Sequence, residues 1–531
     1  MTPRKPRTRP GLLVLRVLAV AVILTLALPD IAQAAPSYVP ISGAGSTWSQ
    51  NAIDQWAANV QQYGIVVNYA GTGSSDGRRQ FKEGTVDLAV SEIPYGLSDA
   101  VDHNSDPPPA RGYAYMPIVA GGTSFMYNLK IGGRRVTNLR LSGETLVKIF
   151  TGVITQWDDP AVKADNPGLT LPARKVVPVV RSDGSGTTAQ LTTWMKTEQP
   201  DAWNAYCARL GIATPCGLTS YYPVAGTEFI KANGSNGVAG YVKQDYAEGA
   251  ITYVEYSYAL NAGFPVAKVL NSSGYYVEPK AAAVAVGLLG AQINTDEGSP
   301  AYLTQRLEGV YRNGDKRAYP LSSYSYMIIP TRLENGLTPD KAYTVSEFGY
   351  YFLCEGQQQA DVLGYSPLPI NLVQAGFEQI KKVRTLSGAD DKNINIAGCN
   401  NPTFSRDGSN TLAANAPQPP DCDRKGSTQC ATGTGGADAP TPVSPGARGS
   451  HGPGTGASGG PSGAPGQGTN PENGADWTPG GDSDVIAVPV SLDAERGWRP
   501  RHTAMLAAGL GLAAAMFSPP LLARLRRRNR R

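Results

Sequence analysis

The chain has 531 residues, with 47 basic and 43 acidic side chains and a formal net charge of +4. The basic surplus sits at the two ends, in Arg4, Lys5, Arg7, Arg9 and Arg16 and in the arginines from Arg524 onward. The rest is net acidic, and nothing in that balance points to nucleic acid. Three histidines and the absence of any Cys-x-x-Cys argue against a zinc site and against a hydrolase built on a histidine base.

Residues 1–34 read as a secretory signal, with a basic start, an apolar run over 17–28 and the small residues Ala32-Gln33-Ala34 for cleavage. No cysteine lies near that site, so a lipid anchor is not written there. Gly43-Ala44-Gly45-Ser46-Thr47-Trp48 then predicts a turn opening a helix whose apolar face is Trp48, Ile53, Trp56 and Val60. The strand-like run 65–69 enters a second such turn, Gly71-Thr72-Gly73-Ser74-Ser75-Asp76-Gly77, which the helical 78–81 follows. The third turn is Arg181-Ser182-Asp183-Gly184-Ser185-Gly186-Thr187-Thr188, between the apolar run 176–180 and a helix carrying Leu191, Trp194 and Met195.

Helix starts hold unpaired N–H groups and the positive end of the helix dipole, so each turn suits an oxyanion. The glycines allow close backbone approach, and the hydroxyls donate without adding charge. Arg181 adds a two-pronged donor that matches phosphate or carboxylate, and Asp183 is placed to hold it. The spacing Gly71-x-Gly73-x-x-x-Gly77 misses the dinucleotide fingerprint by one residue, and no Gly-Lys-Ser/Thr of a P-loop occurs.

The six cysteines all follow the signal segment, and an even number in an exported chain favours disulfides. Spacing favours Cys207–Cys216 and Cys422–Cys430 as local pairs, which leaves Cys354 with Cys399; fifteen pairings are open. From 401 to 484 the composition turns to Gly, Pro, Ser, Thr and Ala with few large apolar groups, and predicts a disordered stalk spanning on the order of 50 Å. Residues 505–522 are apolar and Ala-rich, and an arginine cluster over 523–531 follows. That pattern predicts a single transmembrane helix with a cytoplasmic tail and the body outside. The competing reading is a tail helix that binds a partner or membrane without spanning.

GAGSTW, NYAGTGSSDGRRQFKEGTVDLAVSE, TGVITQWDDPAVKADNP, VVRSDGSGTT, ITYVEYSYA and YPLSSYSYMIIP occur in that order. Over roughly 39–398 the chain resembles the phosphate-binding protein of the phosphate-specific ABC transporter, the PstS type. The resemblance implies an α/β, two-lobed periplasmic-binding-protein type II fold, with lobe 1 from 36–118 and 276–400 and lobe 2 from 119–275. It implies a non-enzymatic, cofactor-free monomer at the cell surface that captures inorganic phosphate in the interlobe cleft for an ABC permease. A surface phosphate sensor or adhesion protein that keeps the fold is the alternative.

Carried over by motif, the phosphate contacts are Thr47, the backbone N–H of Trp48, Ser74, Glu92, Arg181, Ser185, Gly186 and Thr187, with Asp183 behind Arg181. Glu92 is the departure, because the family has Asp there. A carboxylate only accepts hydrogen bonds, so it tests whether the bound oxyanion carries a proton, as phosphate does and sulfate does not. Glu reaches one methylene further, so either the cleft is wider or Glu92 points elsewhere.

Overall fold

A computed structural model describes residues 38–444 apart from 103–105, 300, 393 and 395. The signal segment, His103 and the expected membrane helix and tail lie outside the described residues. Among those described, no helix is long and apolar enough to cross a membrane.

A mixed sheet organises the fold. Its strands are β1 (Ile41–Gly45), β2 (Val67–Ala70), β3 (Leu88–Ser91), β4 (Tyr113–Tyr127), β5 (Val177–Arg181), β6 (Ile230–Ala232), β7 (Ala250–Glu255) and β8 (Ser322–Pro330). They lie in the order β2-β1-β3-β8-β4-β7-β5-β6. β4 is nearly continuous in apolar and aromatic residues and is buried from Tyr115 onward, the pattern of a strand covered on both faces. Its first part pairs antiparallel with β8, from Tyr113–Pro330 to Gly122–Ser322. Its last five residues pair antiparallel with β7, from Thr123–Glu255 to Tyr127–Ile251. One strand thus serves two halves of the molecule and changes partner between Gly122 and Thr123. The return was expected at 275/276, but Tyr276 and Val277 pair with Leu270 and Val269, so the second half keeps these two residues.

Within each half the flanking strands are parallel, β2-β1-β3 in the first and β7-β5-β6 in the second. The helices α1 (Gln50–Val60), α2 (Ser74–Glu83), α3 (Gly186–Glu198) and α4 (Gly234–Val242) leave the ends of β1, β2, β5 and β6. Such an arrangement gathers strand C-termini and helix N-termini on one edge, where α/β sheets take ligands. α1 turns Ile53, Trp56 and Val60 inward, and Trp56 stacks on Phe352 with ring centroids 5.2 Å apart. Gly43–Gly45, expected in a turn, are the end of β1. A side chain at Gly45 would collide with the Val90 carbonyl, because β1 and β3 lie side by side there. The core of the second half is aromatic, with Phe150, Trp157, Trp203, Tyr222 and Tyr253 in one cluster.

The disulfides are Cys207–Cys216, Cys354–Cys399 and Cys422–Cys430, the pairing that spacing favoured. The start of the expected stalk is corrected. Residues 401–444 are folded onto the body rather than free of it, and the rest of the stalk lies outside the described residues. Asn401 and Thr403 donate to the carbonyls of Leu368 and Pro367. Ala413 and Ala416 pack on Ala285 and Val286. Asp423 forms a buried ion pair with Lys268 at 2.5 Å, and Arg140 donates to the carbonyls of Cys422 and Thr428. Thr434 and Thr441 bond to Thr137, and Ser444 N–H reaches Gly168. Composition showed that this segment builds no core of its own. It could not show that the body supplies the missing partners.

Candidate functional site

The edge described above collects the residues expected to form the site. β1 ends at Gly45, just before Ser46-Thr47-Trp48, and β3 ends at Ser91, just before Glu92. Arg181 closes β5, and Ser74 and Gly186 are the first residues of α2 and α3. α2 therefore starts four residues earlier than the helical run seen in sequence. Gly73 precedes it at φ +94°, a backbone conformation that favours glycine, and a side chain there would strike Asp183 and Gly184.

Glu92 is at the centre and only 1% exposed. Its Oε1 accepts hydrogen bonds from Ser46 Oγ at 2.5 Å and Ser325 Oγ at 2.7 Å. Its Oε2 accepts from Ser74 Oγ at 2.7 Å. A Cβ on Gly186 would come within 2.1 Å of the same Oε2 and 2.6 Å of Ser74 Oγ, so Glu92, Ser74 and the start of α3 are in direct contact. Glu92 thus points into the cluster, and three hydroxyls offset the cost of burying its carboxylate.

Arg181 is 3% exposed. Its Nε donates to Asp183 Oδ1 at 2.7 Å, and its Nη2 pairs with Asp183 Oδ2. Asp183 also accepts from Gly234 N–H at 2.9 Å. Burial would raise the Asp183 carboxyl, but the hydrogen bonds and charge of Arg181 and the Gly234 amide hold it below its ordinary value. The remaining prong of Arg181 donates to Ser235 Oγ at 3.3 Å. Ser235 in turn shares a hydrogen bond with Thr47 Oγ1 at 2.9 Å and donates its N–H to that oxygen at 3.0 Å.

Ser185 caps α3, its side chain accepting from Thr188 N at 3.1 Å. Thr187, in the first turn of α3, is buried, and its Oγ1 has no hydrogen-bond partner among the described residues. Thr188 Oγ1 meets Tyr253 OH at 2.7 Å, and burial pushes the Tyr253 phenol up to about 12. Trp48 departs from expectation in part. Its N–H donates to Ser46 Oγ at 3.0 Å and is committed inside the loop, while its indole packs edge-on to Tyr365.

Sequence reading missed Ser46, Ser235 and Ser325. Ser46 lies inside GAGSTW and was passed over beside Thr47. Asn233-Gly234-Ser235 opens α4 after β6 as a fourth strand-to-helix turn of the same composition, so that signal was present. Ser325 sits mid-strand in β8, where alternation with tyrosines reads only as packing.

Residues 30–355 match the family described as PBP superfamily domain. Phosphate-binding protein PstS of Xylella fastidiosa (strain Temecula1) is 31% identical over 340 residues, covering 63% of this chain and 83% of the relative. Phosphate-binding protein PstS of Methanocaldococcus jannaschii is 29% identical over 363 residues, covering 66% of this chain and 87% of that protein. Among solved structures, an ancestral soluble variant of the Human Phosphate Binding Protein aligns with a TM-score of 0.48 and 21% identity, over 64% of this chain and 93% of that one. By the extent of the family match and the cover of the Xylella relative, the chain belongs to the PBP superfamily and, within it, to the PstS family.

Proposed function

We propose that the chain binds one inorganic phosphate in the cluster formed by Thr47, Ser74, Glu92, Arg181, Ser185, Gly186 and Thr187, as a solute-binding protein that hands the ion to an ABC permease. The observation that carries this reading is the meeting of helix starts with the Arg181 guanidinium and the Glu92 carboxylate in a single buried place. The amides of α3 and the unpartnered Thr187 hydroxyl supply neutral donors, and Arg181 supplies positive charge. Glu92 supplies an acceptor, which suits an oxyanion that still carries a proton. The curated relatives' printed names, phosphate-binding protein PstS, point the same way. Capture, rather than catalysis, is what this donor set can do.

The Trp48 amide is assigned no ligand contact in this arrangement, because Ser46 holds it. Export, and anchoring through residues 505–522 with the body outside, belong to the proposal and rest on the sequence alone. Isothermal titration of the full chain, purified in detergent, with phosphate and with sulfate at one pH and ionic strength is the test. The expected result is one phosphate per chain with sulfate at least tenfold weaker. No phosphate binding, or equal binding of the two, would sink the reading.

A further inference from the structure

A carboxylate has about four lone-pair directions to satisfy. In Glu92, Oε1 receives two hydroxyls, Ser46 from the exit of β1 and Ser325 from β8. Oε2 receives one, Ser74, and otherwise faces Gly186 in the first turn of α3. Three acceptor directions are therefore filled by the protein, and one is left on the side of the helix starts. Ser46 has little freedom in this, since its oxygen already accepts the Trp48 N–H and its single proton is directed to Glu92.

We propose that Ser46 and Ser325 are specificity-determining residues of the anion site, positioning Glu92 so that it presents one proton acceptor, on Oε2, to the ligand. This rests on the phosphate reading above and deepens it. The physical need for them comes from the length of the side chain. Glutamate has one more rotatable bond than aspartate, and two hydroxyls on Oε1, one from the exit of β1 and one from β8, remove the freedom that this bond adds. With Oε1 saturated, the carboxylate cannot rotate to avoid an oxyanion that brings no proton. A protonated tetrahedral anion, phosphate or arsenate, satisfies the last direction, whereas sulfate sets a lone pair against it. Without Ser46 or Ser325 an acceptor on Oε1 is left without its donor, and Glu92 gains conformations in which Oε2 turns away from the ligand. The fixed refusal of sulfate then relaxes.

The test uses the full chain carrying Ser46→Ala, Ser325→Ala, or both, titrated with phosphate, arsenate and sulfate at one pH and ionic strength, with melting curves to show that each variant is folded. Each single change is expected to lower the phosphate-to-sulfate affinity ratio about tenfold, and the pair to lower it further. The arsenate-to-phosphate ratio should stay within twofold, because both ions carry the proton. If the double variant binds phosphate with an unchanged ratio, or if all three anions weaken together, the two serines only support the fold and the proposal is overturned. Should Ser46→Ala fail to fold, Ser325→Ala decides alone. Failure of the unaltered chain to bind phosphate is read first and refutes the underlying reading instead.

Discussion

The turn at 181–188 and the segment 401–444 have similar compositions and hold their shape by different means. Both are rich in Gly, Ser and Thr and poor in large apolar groups. The turn is ordered by polar groups that bond to one another, as Arg181 does with Asp183 and Ser185 with Thr188. The C-terminal segment is ordered by fixed partners on the body, Lys268 paired with Asp423 and Arg140 donating to the carbonyls of Cys422 and Thr428, with Cys422–Cys430 closing its middle. Partners within the first region can exchange for a ligand, and those in the second have no reason to. Substitutions in the turn should therefore move binding, and substitutions in the segment should move stability.

The largest effect is expected at Arg181. Arg181→Ala removes up to two charge-assisted hydrogen bonds to the anion, worth about 1.5–3 kcal/mol each, so phosphate affinity should fall at least a hundredfold in titration. It also strands Asp183 without its cation, which lowers the melting temperature. Adding Asp183→Ala should restore the melting temperature without restoring binding. A loss of affinity below tenfold would mean that Arg181 faces away from the ligand.

Asp423→Ala sharpens the other side of the comparison. It leaves the Lys268 ammonium buried and unpaired, a change that costs about 3 kcal/mol or more in unfolding free energy, read by denaturant titration. Phosphate affinity should change less than twofold. A parallel loss of binding would make the segment part of the site and erase the distinction.

A smaller and more selective effect is expected from Glu92→Gln. The amide brings a donor to a place where only acceptors stood, so the phosphate-to-sulfate ratio should fall about tenfold, equivalent to about 1.4 kcal/mol. Glu92→Asp shortens the reach and should break the contact with Ser325 before that with Ser74, lowering the same ratio by less. An unchanged ratio in Glu92→Gln would remove Glu92 as the selective element.

Much of this was legible in the sequence, for physical reasons that differ by residue. The strand-turn-helix punctuation around Arg181, and the apolar spacing of Ile53, Trp56 and Val60, are local signals, and the structure forms those elements where they were read. The two serines on Glu92 Oε1 were not legible, because Ser46 and Ser325 come from separate elements and only the sheet order β1-β3-β8 brings them to one carboxylate. The order in 401–444 was hidden for the same reason. Its partners, Lys268, Arg140, Thr137 and Leu368, are remote in sequence, and composition counts only what a segment holds itself.

The smallest effect tests whether a polar group beside the site must be neutral. Glu255 ends β7 and caps the helix at Tyr256–Ala262 by accepting from Ser257 N at 2.7 Å. Its other oxygen lies toward Trp48 and Gly121 and has no partner among the described residues. Burial drives its carboxyl well above the ordinary value of 4.5, against the pull of the Ser257 contacts. Below that ordinary value the folded and unfolded chains both hold the proton. As the pH rises past it, the unfolded chain releases the proton while the folded chain keeps it, so stability declines until the folded value is reached. Glu255→Gln keeps an acceptor for Ser257 and cannot ionise, so its melting temperature should decline less between pH 5 and pH 8 and exceed that of the unaltered chain at the upper end. A rise on the order of 2 °C at pH 8 is expected for a domain of this size. Parallel pH profiles for the two proteins would show that Glu255 does not carry a proton in the folded chain, and that its unpartnered oxygen is satisfied in another way.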